Sequence, residues 1–365
     1  MTKIVLFWHE SIAIVPDEKQ SQEVKAPENP DEQAARLCDE ADEDLRMGRY
    51  EESRSKFLQA AALGELNIGI AWRGAAKAFK ALGRWNDARE AYDRAIEAEP
   101  ENALYWYEKG ALLEAGIDDN EAGRCLSKAI ELDPTMVEGH YLKGVVLSKR
   151  GRHEEAVAEF DKVIELEPDH VRALEEKAFS LEDLGLVEET LKTYDRLIVL
   201  EPEDHMHHFF KGSLLTESGR PDEGVRELRR AAELNPNSAR AYINLGHAYD
   251  ILGDVESSLW AFDEAVKRDP KSPVAFYDKG TILKDLNRLD EALECLEKAI
   301  ALDPKDMDYY QNKGVVLYMM ERFEEASTCF RKVLEIRPDD ERAKRALENS
   351  EKKKTGEEPG DYTGL

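Results

Sequence analysis

The densest group of side chains able to do chemistry is His205, His207 and His208, preceded by Glu203 and Asp204. Imidazoles three residues apart on a helix share a face and can chelate a transition metal, which makes His205 and His208 the natural pair. His208, however, falls at a point of an internal pattern held elsewhere by Trp72, Trp106 and His140, which favours the edge of a core over a metal site. The four cysteines, Cys38, Cys125, Cys295 and Cys329, are too widely spaced for a Cys-x-x-Cys metal or redox motif. The signatures His-Glu-x-x-His, Gly-x-Gly-x-x-Gly, Gly-x-Ser-x-Gly and the phosphate-binding loop are all missing from the sequence. No catalytic residue, no metal site and no cofactor is expected, and the chain reads as a non-enzyme.

Composition narrows the partners. Among 365 residues there are 51 Lys plus Arg and 78 Asp plus Glu, a net charge of -27. Such a surface repels phosphate, so nucleic acid and anionic lipid are not expected as partners, and apolar, aromatic or basic protein segments are. With 42% apolar residues the chain is too hydrophobic to be an acidic disordered tail. The apolar stretch from Ile4 to Val15 is broken by His9, Glu10 and Ser11 and is shorter than the roughly 20 residues that span a bilayer. The N-terminus has neither a basic region nor a small-residue cleavage site, and a reducing cytoplasm is the expected compartment.

The elements that must position any functional residue are set by a repeat. Prolines stand at 100, 134, 168, 202, 236, 270, 304 and 338, each 34 after the last. A helix should end just before each, because the ring disfavours the α conformation in the preceding residue. Let the proline be position 32 of its repeat. Position 8 is then Ala76, Gly110, Gly144, Ala178, Gly212, Gly246, Gly280 or Gly314, always small, as if another backbone approaches there. Position 15 is Gly83, Gly151, Gly185, Gly219 and Gly253, then Asn287, residues that tolerate the left-handed conformation ending a helix; Gly116 comes one place early and the last repeat has Glu321. Two helices per repeat follow. Positions 4, 8 and 11 (Trp72-Ala76-Phe79, Trp106-Gly110-Leu113, Tyr242-Gly246-Tyr249) share one face of the first helix. Positions 20, 24 and 27 (Ala88-Tyr92-Ala95, Ala156-Phe160-Val163, Ala326-Phe330-Val333) share one face of the second.

This pattern resembles the tetratricopeptide repeat family, whose 34-residue unit reads W-x2-L-G-x2-Y, then A-x3-F, then P; Trp106, Gly110, Ala122 and Pro134 fit it well. The resemblance implies an all-α, right-handed superhelix of stacked hairpins, with the first helices lining a concave side. One departure recurs: position 7, leucine in the family, is Lys109, Lys143, Lys177, Lys211, Lys279 and Lys313. Their stems are expected to cover apolar surface while the ammonium groups reach water. Cys125, Cys295 and Cys329 share position 23. Packed helices about 8–10 Å apart hold equivalent residues too far apart for a disulfide, so free, partly buried thiols are expected.

Gly48-Arg49-Tyr50 and Phe57-x-x-Ala60 align with Gly83-Arg84-Trp85 and Tyr92-x-x-Ala95 at an offset of 35, which adds a divergent repeat in front. The expected organisation is a segment and linker at 1–33, nine repeats over 34–340 with boundaries near 34, 69, 103, 137, 171, 205, 239, 273 and 307, a capping helix at 341–354 and a disordered tail at 355–365. The apolar N-terminal runs Ile4–Trp8 and Ile12–Val15 are β-prone. They read either as a short extended or hairpin segment on the first repeat, or as an internal ligand lying in the groove of the same or a second copy.

Function, on this reading, sits on the first helices. The resemblance assigns positions 2, 5, 9 and 12 to the concave surface. There the candidates are Arg73, Lys77, Tyr107, Glu114, Tyr141, Val145, Phe179, Glu182, Phe209, Ile243, His247, Asp250 and Tyr277: aromatic and apolar anchors beside acids, with a basic entrance in the second repeat. The two-carboxylate clamp with which some family members grip acidic chaperone tails is not expected, because Glu108 and Glu138 stand where amide and base are required. The expected role is a protein-interaction scaffold or adaptor holding a peptide or helical segment. The alternatives are a non-catalytic subunit of a larger enzyme or chaperone assembly, and an array that self-associates through its N-terminal segment.

Overall fold

The computed structural model describes residues 29–63, 68–116 and 118–355. The Ile4–Val15 segment and the tail beyond 355 lie outside them. Among the described residues there is no strand, and 19 helices follow one another in hairpins. The chain divides into two units between Pro134 and Thr135. The first contains α1 (Pro30–Arg46), α2 (Tyr50–Leu63), α3 (Ile68–Ala81), α4 (Trp85–Ala98), α5 (Ala103–Glu114) and α6 (Asp119–Leu132). The second opens with α7 (Val137–Lys149), α8 (His153–Leu166), α9 (Val171–Asp183), α10 (Val187–Leu200), α11 (His205–Glu217) and α12 (Pro221–Leu234). It continues through α13 (Ala239–Ile251), α14 (Val255–Arg268), α15 (Pro273–Asp285), α16 (Leu289–Leu302), α17 (Met307–Met319), α18 (Phe323–Ile336) and α19 (Glu341–Thr355). The first helix begins at Pro30, four residues ahead of the expected boundary. Asn29 accepts a hydrogen bond from the Asp31 amide and Pro30, with no N–H to satisfy, occupies the first turn.

Within each unit every helix packs on its neighbours in sequence, and the substantial contacts between alternate helices are odd with odd: α1 with α3, α7 with α9, α11 with α13, α15 with α17. The odd helices therefore form the tighter, inner side of each array. The small residue at position 8 is required chiefly by a side chain, with the backbone approach expected from the sequence seen at Gly212, where a Cβ would also lie 3.0 Å from Leu228 N. A Cβ on Gly144 would sit 2.6 Å from the Phe160 ring and one on Gly314 2.6 Å from the Phe330 ring, each ring being position 24 of the same hairpin. The aromatic on the second helix fills the notch that the missing Cβ leaves on the first. Where the partner is Leu126, Leu228 or Leu296, position 8 is again glycine. The hairpin turn needs a left-handed residue: Gly253 has φ 74° and lets the Asp254 amide donate back to Tyr249 O at 2.9 Å. Glu321, the departure noted above, adopts φ 60° and keeps the same turn without a glycine.

The position 7 lysines do more than reach into water, and of the six only Lys109 is buried. Each pairs with an acid, in five cases at position 25 of the preceding hairpin: Lys109 with Asp93 at 2.6 Å, Lys177 with Asp161 at 2.6 Å, Lys211 with Asp195 at 2.8 Å, Lys279 with Asp263 at 2.7 Å and Lys313 with Glu297 at 2.8 Å. Ser127 occupies position 25 ahead of Lys143, which turns to Glu159 on its own hairpin at 2.8 Å. The exceptions explain the rule. Where position 7 is Leu245 or Leu347, position 25 before it is Arg229 or Arg331; where it is Ala75, the matching residue is Leu58. Two positions that touch across a stacking interface have changed together inside one chain. Position 4 behaves alike: it is histidine only where position 23 is glutamate, with His140 Nδ1 2.7 Å from Glu159 and His208 Nδ1 2.7 Å from Glu227.

All four cysteines are buried and free. Burial pushes the thiols of Cys38, Cys125 and Cys329 up to about 11, so they stay protonated near neutral pH. At the C-terminal end α19 lays Ala343 and Ala346 on α18 with Leu347 beside them, and Lys354 pairs with Glu324 at 2.7 Å. No helix among the described residues is long and apolar enough to cross a membrane.

Candidate protein-binding face

On an odd helix, positions 2, 5 or 6, 9 and 12 or 13 recur every three or four residues and so share the inner face, away from positions 4, 8 and 11. The structure separates the predicted residues on this face into three groups.

In the first unit the basic pair is already occupied. The Arg73 guanidinium donates to both Glu108 oxygens at 2.7 and 2.6 Å, and Lys77 lies 3.1 Å from the same carboxylate. Position 5 of α3 and position 6 of α5 meet across the stack, so the acid that argued against a chaperone-type clamp also neutralises the basic entrance expected from the sequence. Hydrogen bonding to Glu108 holds the Arg73 guanidinium above its usual range. Tyr107 and Glu114 are half-buried on α5.

In the second unit several predicted anchors are committed to the array. Phe209 is only 6% exposed, packs in the core beside α13 and has the Arg240 guanidinium 5.3 Å above its ring. Tyr141 is half-buried, with Arg172 at 4.9 Å over its ring. Tyr277 packs against Tyr309 at 5.0 Å, and its hydroxyl accepts a hydrogen bond from Asn312 at 3.0 Å. Val145 and Ile243 pack against the core clusters of their own hairpins. Tyr141 and Phe209 share one physical reason: position 2 of the following hairpin lies over position 5, and the arginine there, Arg172 or Arg240, places its guanidinium over the ring below.

The third group stays open. Phe179 is 39% exposed on α9, Ile251 60% on α13 and Val274 45% on α15; Asp250 is exposed, and Glu182 is half-buried. Phe179 meets the Phe210 ring edge-on at 5.4 Å, and Phe210 stacks on Tyr194 at 6.1 Å. The Tyr194 hydroxyl donates to Glu182 at 2.8 Å. Ile251, Val274, Phe210, Tyr194 and Arg172 were not singled out from the sequence. Phe210 sits at position 6, next to the expected stripe, and Tyr194 comes from the second helix of its hairpin.

His247 is the one imidazole on this face among the described residues, with Nε2 3.2 Å from Asp278 and its ring 5.3 Å from Phe262. The hydrogen bond to Asp278 raises it above the ordinary 6.5, against the opposing effect of burial and with help from the Asp278 and Asp250 charges. A raised histidine contributes stability that is complete below pH 6.5 and lost as pH rises through the raised value. The expected NMR result is a His247 midpoint above 6.5 that Asp278→Asn brings down to that value or below it. An unchanged midpoint would contradict the assigned cause.

The metal pair suggested by spacing does not form. His205 Nε2 lies 3.0 Å from Asn235 and His208 turns to Glu227. The structure instead gathers Glu201, Asp204 and His207, with donor atoms within 4.8 Å of one another. His207 Nε2 is 3.2 Å from Glu201, and Asp204 caps α11 by accepting from the Met206 amide at 2.8 Å. At the equivalent places Tyr105 donates to Glu99 at 3.3 Å, so this contact is a packing device across the turn between hairpins.

Tetratricopeptide repeat family profiles match residues 73–137, 137–170, 211–273 and 308–340, and a TPR repeat profile matches 280–321. None of the curated proteins matches the chain. Among solved structures, a tetratricopeptide repeat protein from Parabacteroides merdae ATCC 43184 is 18% identical, with 69% of this chain and 99% of that one covered and a TM-score of 0.51, a likeness of fold. YrrB, described as a TPR protein with an unusual peptide-binding site, is 25% identical over 52% of this chain and 98% of that one, with a TM-score of 0.47. Yeast Tom70 is 16% identical over 88% of each chain, with a TM-score of 0.45.

Proposed function

Because the chain belongs to the tetratricopeptide repeat family, we propose that it is a non-catalytic scaffold whose odd-helix faces hold a peptide or helical segment of another protein. One observation carries this reading: the framework repeats and the inner stripe does not. Position 8 is glycine or alanine in all eight regular repeats, while position 9 beside it runs Lys77, Ala111, Val145, Phe179, Ser213, His247, Thr281, Val315. Side chains that pack a hairpin on itself are under the same demand in each and repeat as the framework does, and those that stack one hairpin on the next vary in matched pairs, as positions 7 and 25 do. A surface that reads one partner meets a different part of it at each hairpin and has no reason to repeat. Fold alone gives a class of function, and the ligand is decided by the side chains on the stripe.

The test is an affinity capture comparing wild type with two variants of full-length chain. One carries Phe179→Ala, Ile251→Ser and Val274→Ser on the inner face. The other carries Val199→Ser on α10, where the side chain is 79% exposed on an even helix. All four side chains are exposed, so circular dichroism should be unchanged. The expected result is a partner set that the inner variant loses and the outer variant keeps. Equal recovery by both would remove the inner face as the binding surface.

A further inference from the structure

Resting on that reading, we propose that the inner face between α9 and α11 takes an arginine side chain from a basic segment of the partner protein, laid against the Phe179–Phe210 corner and held by the carboxylates of Glu175, Glu176 and Glu182. The corner is built from two rings at 90° to each other, Phe179 partly open to solvent and Phe210 backed by Tyr194. Around it the acids converge. Glu175 and Glu176 lie one turn before Phe179 and are half-buried. Glu182 lies one turn after it and is fixed by the Tyr194 hydroxyl. Among the described residues no lysine or arginine is paired with Glu175, Glu176, Glu182 or Glu217, although every position 7 lysine nearby has found an acid. Burial, then the neighbouring Glu175, pushes the Glu176 carboxyl up against the pull of Arg172 and Lys149. Burial pushes Glu182 up too, with Glu217 and Asp183 adding to it against the Tyr194 hydrogen bond. These carboxylates crowd one another, with Arg172 and Lys149 felt by Glu176 but no cation paired with any of them, and an incoming cation relieves them.

The same face shows which cation. On one flank Arg172 lies over Tyr141, and on the other Arg240 lies over Phe209. Both are position 2 arginines placed on a position 5 ring. Between them the series is interrupted: position 2 of α11 is Met206 and position 5 of α9 is Glu175. A guanidinium from outside completes the row, combining a ring contact with the planar, forked hydrogen bonding that carboxylates accept. The two resident arginines repel a run of positive charge, so one cation is placed between them and the register of the segment is set.

The experiment uses full-length chain and pools of short peptides with random flanks and a fixed central residue, arginine in one pool and uncharged, near-isosteric citrulline in the other. Captured arginine peptides are then titrated by fluorescence anisotropy. The arginine pool should be retained over the citrulline pool, and affinity should fall about tenfold or more in Phe179→Ala and in Glu175→Gln/Glu182→Gln, and fall again with added salt. Glu175→Gln/Glu182→Gln keeps the shape of both side chains, so a loss there without a change in thermal melting cannot be ascribed to unfolding. Equal retention of the two pools, or arginine-peptide affinity unmoved by either variant, would overturn the proposal. Should that happen while inner-face variants still lose partners in the capture experiment, the scaffold reading stands and only the arginine corner falls.

Discussion

Replacing Phe262 by alanine should remove about 3–5 kcal/mol from the second unit. The ring is fully enclosed on α14, and a Cβ on Gly246 would come within 2.7 Å of it, so it fills a space that no other side chain enters. The loss should be local in origin and visible in the shape of the transition. A repeat array is stabilised by each hairpin and by its interfaces with the two neighbours. Weakening one hairpin in the middle of six hairpins and a cap should split a single urea transition into two, followed by far-ultraviolet circular dichroism. Phe262→Leu is the control. Leu126, Leu228 and Leu296 hold the same position against Gly110, Gly212 and Gly280, so leucine is expected to cost less than about 1.5 kcal/mol and leave one transition. A cost for alanine below about 1 kcal/mol would mean that the notch closes by itself and that the ring is not what holds the two helices of its hairpin together.

That contrast shows where a sequence of this kind is legible. Pro100 to Pro338, the small residue at position 8 and the ring or leucine at position 24 recur because each hairpin solves one local packing problem, so repetition displays the solution many times over. The hairpin ends at Gly253 and Asn287 are readable for the same reason. What could not be read is how one hairpin meets the next. Phe209 has the composition of a ligand anchor, and only the placement of Arg240 over it from α13 shows that it belongs to the core. Arg73 and Lys77 look like a basic entrance until Glu108 is found between them. The side chains left open, Phe179 among them, are distinguished from buried equivalents by the neighbour they lack. One cross-hairpin signal is present in the sequence: the types at positions 7 and 25 change together, Lys with acid or Leu with Arg.

The paired change leads to the second large effect, at Lys109. Its side chain is 8% exposed and its ammonium sits 2.6 Å from both Asp93 and Glu121. Removing both acids, in Asp93→Ala/Glu121→Ala, strands a buried cation, which typically costs about 3–5 kcal/mol; the lower end is expected because Asp93 lies at the half-open rim, where water can follow. Removing the charge together with its partner should behave differently. Lys109→Leu with Asp93→Arg rebuilds the Leu245 and Arg229 combination that the chain already uses between α12 and α13, and should lie within about 1 kcal/mol of wild type. The pH dependence separates a stranded charge from simple loss of packing. In the wild type, burial lowers the Lys109 ammonium but the Asp93 and Glu121 hydrogen bonds outweigh it and hold the group above 10.5, so its contribution is complete below that pH and is lost only as pH rises through the raised value. Without the two acids burial outweighs what is left, the Cys125 thiol being protonated until about 11, and the folded-state value falls below the unfolded one. The unfolded chain then binds more protons over that interval, and stability must rise with pH. Chemical denaturation between neutral pH and pH about 10 should therefore show the double alanine variant recovering stability relative to wild type as the medium becomes alkaline. A constant difference across that range would mean that Lys109 escapes to solvent when its partners are removed, and that the lysine ladder aligns the hairpins without being buried charge.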